Sequence, residues 1–195
     1  MLHLASQSPR RRELLDQLGL RYGLLDVSVE EVRAVGEPPE SYVSRVAREK
    51  AGAGLMTLSG DAKAVVLGAD TEVVLGDEVF GKPANAVEAG DMLRRLSGKT
   101  HQVVSAVWAV SAGRESRRMQ VSEVRFAELD DAMIESYCAG DEWRGKAGGY
   151  AIQGRAAAFI AELRGSYSGV MGLPLHETAS LLQEFSIEIP FRGAV

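Results

Sequence analysis

The chain has 195 residues, 46% of them hydrophobic and 25% charged, and a net charge of −5 at pH 7. That length suits one α/β domain over residues 1–195 with a sizeable core, while the acidic balance excludes a broad duplex-DNA face, which needs clustered positive charge. No apolar run nears the ~18 residues that span a bilayer, charge arrives too early for a signal peptide, and the lone Cys138 excludes an internal disulfide, so a cytoplasmic protein is expected.

The first predicted strand is Leu2–Ala5. Ser8 then suits a helix N-cap and Pro9 the first helical position, with Leu14, Leu15 and Leu18 following at helical spacing. This places Arg10, Arg11 and Arg12 in the first turn, where cations oppose the helix dipole. Such a cluster is either a solvated basic turn or a phosphate cradle. Tyr22–Val27 reads as a strand, and Pro38-Pro39 opens a helix to about Leu55. Ala64–Gly68 is a continuous apolar run, the pattern of a strand buried on both faces, which resumes after Asp70 as Val73–Leu75 and turns back at Gly76-Asp77. A helix from Asn85 or Ala86 to Leu96 follows, then two long strands, His101–Val110 and Arg118–Ala127. Asp130 caps a helix ending at Cys138, which reads as a buried small residue there. Gly145–Gly154 is a glycine-rich loop, Phe159–Leu163 a strand, Gly165–Gly169 an ordered turn and Pro174–Phe185 the last helix. Strands alternating with helices predict an α/β fold, and the paired hairpin strands make its sheet mixed.

Asp70 is the leading candidate for chemistry. It stands where the buried run ends, and ligands of open α/β sheets bind beyond strand C-termini. A carboxylate there can bind Mg²⁺ or take a proton from water; a turn-capping Asp is the alternative reading. Glu30-Glu31 supplies further carboxylate, one member of which could join Asp70 on a metal. Lys82, in the stiff Gly81-Lys82-Pro83 turn, and Lys50 are cation candidates that equally suit surface positions. Gly98-Lys99-Thr100 is rejected as a phosphate-binding loop, because position 93 is Leu93 and a helix precedes it where a strand is required. In the run Gly145–Gly154 small residues allow close backbone approach to a ligand, Lys146 adds charge, and Gln153 carries the donor and acceptor needed to read a base edge. His3, His101 and His176 are scattered, which predicts neither a zinc site nor a Ser-His-Asp arrangement.

Several of these blocks, in this order, resemble the Maf family of nucleoside triphosphate pyrophosphatases. They are Leu4-Ala5-Ser6-Gln7-Ser8-Pro9-Arg10-Arg11, Glu49-Lys50-Ala51, Gly68-Ala69-Asp70-Thr71, Gly81-Lys82-Pro83, Leu96–His101, Lys146–Gly154 and Gly172-Leu173-Pro174. The resemblance spans nearly the whole chain. It implies a mixed, twisted sheet with flanking helices, elongated and two-lobed around a central cleft, like the inosine triphosphate pyrophosphatases. It also implies hydrolysis of a nucleoside triphosphate to the monophosphate and pyrophosphate with a divalent cation (Mg²⁺, Mn²⁺ or Co²⁺). The family's proton acceptor falls on Asp70, its specificity positions on Arg10, Thr71 and Gln153, and its cleft-lining residues on Ser6, Glu31, Lys50 and Lys82. The block around Gln153 looks like the branch acting on dTTP and UTP, and a homodimer is a further expectation of the resemblance. Glu72 departs from the family pattern, which has an apolar residue after Asp-Thr. It either joins the metal, raises its neighbour by like-charge repulsion or points to solvent. A different class of function, a nucleotide-sensing regulator of septum formation, needs the cations of such a cleft but no general base.

Overall fold

The computed structural model describes residues 1–58 and 60–190. One seven-stranded mixed sheet organises them, built from β1 (Leu2–Ala5), β2 (Gly23–Leu25), β3 (Val65–Leu75), β4 (Glu78–Phe80), β5 (Thr100–Val110), β6 (Glu115–Phe126) and β7 (Ile160–Arg164). Its order is β2-β1-β3-β5-β6-β7, with β4 also paired to β3. β2, β1 and β3 run parallel; β4, β5, β6 and β7 are joined antiparallel. Six helices flank the sheet: α1 (Pro9–Gln17), α2 (Pro39–Thr57), α3 (Ala86–Leu96), α4 (Asp131–Cys138), α5 (Tyr167–Met171) and α6 (Leu175–Glu184).

Alternation along the central strands separates two faces. Val65, Leu67 and Ala69 of β3, with Val107 and Ala109 of β5, pack against Leu14 and Leu15 of α1 and Leu181 and Leu182 of α6. Further along the same face, Val73 and Val103 join a second core with Leu93 of α3, Ile134 and Tyr137 of α4, and Phe126. Val74, Val104 and Ala106 point the other way, into Tyr42, Val43, Val46 and Ala47 of α2. Gly68 is what lets α2 lie so close. A Cβ there would stand 2.3 Å from the carbonyl oxygen of Ala47 and 2.5 Å from the amide nitrogen of Ala51, both backbone atoms of α2.

Some local expectations are corrected. β3 does not end before Asp70 but runs through it, because β5 pairs it continuously from Val66↔Val110 to Val74↔Gln102. Ser8 occupies the N-cap of α1 without accepting a cap bond; its own N–H donates to Ser6 Oγ at 3.2 Å. The turn expected at Gly165–Gly169 is the start of α5, where Ser166 caps through a bond from the Gly169 N–H. Cys138 closes α4 half-exposed instead of buried. Asp130 caps α4 as expected, accepting from the Met133 N–H, and of the two residues that could open α3 Asn85 is its cap, accepting from the Glu88 N–H.

Candidate active site

A gap in strand pairing makes the site. One edge of β3 is covered by β1 as far as Gly68, and by β4 from Val73 onward. Among the described residues no strand pairs that edge across Ala69–Glu72. The turn after β1 (Ser6, Gln7, Ser8) and the first turn of α1 enter this window, so the site does lie beyond the C-terminus of a parallel strand, but of β1 and not of β3. A cleft of about 530 Å³ opens there.

Its lining brings together Ser6, Arg10, Arg11, Glu31, Lys50, Asp70, Thr71, Lys82, Lys146 and Gln153, whereas Arg12, Glu30 and Glu72, also considered from the sequence, are not among the lining residues. Six cationic side chains line it against two carboxylates, an inversion of the chain's overall sign. The cleft thus suits a polyanion.

Because successive strand residues alternate, Asp70 and Thr71 face opposite walls. Asp70, 4% exposed, points toward α2, where Lys50 Nζ donates to its Oδ1 at 2.8 Å. The same ammonium sits 2.6 Å from Glu31 Oε1, and Lys82 Nζ lies 2.6 Å from Glu31 Oε2. Burial pushes the Glu31 carboxyl up, but the hydrogen bonds from Lys50 and Lys82 outweigh it and hold it down at about 2. Lys50 therefore stitches the two carboxylates together. Asp70 Oδ2 is buried without a partner.

Thr71 faces the other wall, with the arginines. Arg10 Nε donates to the Met171 carbonyl at 3.2 Å and Arg11 Nε to that of Gly172 at 2.8 Å. These carbonyls end α5, where cations are favourable, so the arginines that oppose the dipole of their own helix complement that of another. Among the described residues neither arginine has an ion pair. Burial, and after it the charge of Arg11, lowers Arg10; burial, and after it Arg10, lowers Lys146. Glu13 opposes the shift of Arg10 and Glu142 that of Lys146, without cancelling them. Arg11 also reaches Ser6 Oγ at 3.4 Å and Thr71 Oγ1 at 3.5 Å.

The glycine-rich loop is held at several points. The Gly148 N–H donates to the Gly81 carbonyl at 3.1 Å, which ties this loop to the turn carrying Lys82. Gly148 has φ +69°, and a Cβ there would press within 3.1 Å of Val73. The buried hydroxyl of Tyr150 meets His101 Nε2 at 2.8 Å, and the Ala151 N–H donates to Tyr137 Oη at 3.2 Å. Gln153, on the exposed part of the loop, is thereby presented from a fixed frame.

Glu72 does not point to solvent: it is 5% exposed, and its Oε2 has no partner. Burial, then the charge of Asp70, pushes its carboxyl from 4.5 to about 8. A carboxyl held up in the folded chain binds its proton more tightly there than when unfolded. Its stabilisation is full below 4.5 and disappears as pH rises through about 8. The melting temperature should therefore fall from pH 5 to pH 8, and Glu72→Gln should flatten that slope. Parallel melting curves for parent and variant across this window would contradict it.

Sequence reasoning missed two cleft contributors. Arg144 lines the cleft beside the glycine-rich loop, and its guanidinium lies 4.4 Å from the centre of the Trp143 ring. Ser105 sits behind Thr71, directly opposite it in the β3–β5 register. A lone hydroxyl within the apolar run Val103-Val104-Ser105-Ala106-Val107 was the available signal.

Residues 1–185 match the family of Maf-like proteins. The dTTP/UTP pyrophosphatase of Xanthomonas axonopodis pv. citri (strain 306) is 57% identical over 187 residues, covering 95% of this chain and 98% of that protein. The dTTP/UTP pyrophosphatase of Alkalilimnicola ehrlichii is 53% identical over 190 residues, with 96% and 94% covered. A nucleoside triphosphate pyrophosphatase of Xylella fastidiosa (strain 9a5c) is 53% identical over 186 residues, with 95% and 98% covered. Among solved structures, the Staphylococcus aureus Ham1 protein aligns with a TM-score of 0.46 and 16% identity, over 65% of this chain and 72% of that one.

Proposed function

This chain belongs to the Maf family, and on that premise we propose that it hydrolyses dTTP and UTP to the nucleoside monophosphate and pyrophosphate. The observation that carries the reading is the cationic cleft in an acidic chain, with one buried carboxylate, Asp70, left an open oxygen. A triphosphate brings about four negative charges at neutral pH and needs local neutralisation to enter. Arg10 and Arg11 on one wall, and Lys50 and Lys82 on the other, supply it. A regulator that only senses nucleotides has no need of the aligned carboxylate.

Asp70 acts as the proton acceptor. Lys50 holds Oδ1, which fixes the plane of the carboxylate and leaves Oδ2 to orient and deprotonate the attacking water. The pyrophosphate leaves against Lys82 and Lys50, whose charges meet the negative charge that develops on it. The oxygen-only donors of Asp70 and Glu31 suit a hard divalent cation, which commonly takes one or two carboxylates plus phosphate oxygens. When bound there, such an ion would neutralise phosphate charge and polarise the α-phosphorus.

Thr71 and Gln153 read the base from the wall opposite Asp70, where Ile152, Val73 and Val103 supply apolar surface. Gln153→Ala should change the order of preference among nucleotides by about tenfold, the scale of one neutral hydrogen bond, and leave the melting temperature unmoved. An unchanged order would remove Gln153 from base reading. The chain as one domain over residues 1–195, at work in the cytoplasm, completes the proposal; no helix among the described residues is long and apolar enough to cross a membrane. The decisive experiment is release of pyrophosphate from a panel of nucleoside triphosphates with Mg²⁺, Mn²⁺ or Co²⁺. Absence of release from dTTP and UTP with all three ions would overturn it.

A further inference from the structure

The hydroxyls behind the cleft form a chain whose direction can be counted. Ser105, 1% exposed, donates its only proton to the Gly169 carbonyl at 2.7 Å, since a carbonyl can only accept. Its oxygen lies 2.8 Å from Thr71 Oγ1, a contact that needs a proton between the two atoms. That proton comes from Thr71, because Ser105 has none left. The Gly172 carbonyl, at 3.4 Å, lies beyond the normal O–H···O range and holds no comparable claim on that proton. With Ser105 in place the single proton of Thr71 is taken up inside the protein. Arg11 Nη2, a donor, stands 3.5 Å from the same oxygen. Thr71 thus meets the cleft with lone pairs alone.

We propose that Ser105 is a positioning residue that turns Thr71 into an obligate hydrogen-bond acceptor, so that the cleft selects a base presenting an N–H donor at its pairing edge. The proposal rests on the pyrimidine triphosphate reading above and deepens it. Uracil and thymine carry such a donor in their imide N3–H, whereas cytosine presents a bare nitrogen acceptor at the same place. Two acceptors facing each other repel, which adds exclusion of the wrong base to recognition of the right one. Thr71 suits this role by its side of the strand. It projects away from Asp70, Lys50 and Glu31, toward the wall that carries Gln153 and the apolar side chains.

The test compares kcat/KM for UTP, CTP and 3-methyl-UTP, which lacks the N3 proton, in the parent, Ser105→Ala and Ser105→Thr. In the parent, UTP should exceed both analogues. Ser105→Ala frees the Thr71 proton to turn toward the cleft, so the UTP:CTP ratio should fall about tenfold, mainly through KM, the value for one hydrogen bond gained or lost. Ser105→Thr keeps the hydroxyl and should restore the ratio. A folded Ser105→Ala with the parent ratio overturns the proposal. Should Ser105→Ala fail to fold, Thr71→Val serves: it should slow UTP about tenfold and leave 3-methyl-UTP unaffected, and equal slowing of both overturns the proposal. Pyrophosphate release from UTP with an unmoved ratio sinks only the role of Ser105. A parent chain that releases none from dTTP or UTP overturns the functional reading as well.

Discussion

Asp70→Asn should lower kcat by about 10²- to 10⁴-fold, the usual cost of removing a positioned general base, with a much smaller change in KM. The physical basis is that asparagine keeps the shape and the acceptor. Its carbonyl oxygen can still take the bond from Lys50 Nζ, and Lys50 retains its ion pair with Glu31 at 2.6 Å. What is lost is the free carboxylate oxygen that takes a proton. Stability should hold within about 1 kcal/mol, because the acceptor for Lys50 and the Lys50–Glu31 pair are both kept. Initial rates of pyrophosphate release alongside thermal melting check both halves. A folded variant with near-parental kcat would remove Asp70 from the chemistry and leave the cleft as a binding site.

Gly68→Val should be the most destabilising single change in the sheet, costing about 3 kcal/mol or more, at the upper end of overpacking. Any Cβ at this position meets two backbone atoms of α2 at 2.3 and 2.5 Å, and neither can swing aside as a side-chain tip could. The helix must move as a body. α2 carries Lys50, so the same displacement separates the ammonium from Asp70 and Glu31, and the surviving folded fraction should be slow as well as unstable. For a chain of this size the expected drop is about 10 °C in melting temperature. Gly68→Ala should show the same two effects at smaller amplitude. A fully stable, fully active Gly68→Ala would mean that α2 does not need its close seat on β3. Gly54, on α2 itself, would be a milder site: the nearest atoms to a Cβ there are side-chain atoms at 3.0 Å.

Much of this protein was legible before any coordinates. The apolar run Ala64–Gly68 announces a strand buried on both faces, Asp130 announces its helix, and the blocks from Ser6 to Gln153 announce the family. Each signal depends on residues close together in the chain, where periodicity, capping and turn chemistry operate. Even the boundaries of α1 and α6 lie within a residue or two of expectation. α5 escaped because five residues are too few to display a helical period.

What stayed hidden is everything that depends on which element lies beside which. Three arginines in a first turn look unfavourable along the sequence, and only the carbonyls at the end of α5, about 160 residues away, make Arg10 and Arg11 at home. Glu72 has no feature in the sequence that declares it buried; α2 packing against β3 decides that and holds it protonated. Ser105 is one hydroxyl among apolar strand neighbours until the β3–β5 register sets it opposite Thr71. By itself the sequence determined the elements, the family and the residue types available for chemistry, because these follow from local pattern and composition. The tertiary structure decided which charges share a wall, which carboxylate keeps an open oxygen and which hydroxyl can only accept, because burial and pairing are properties of segments that meet only when the chain is folded.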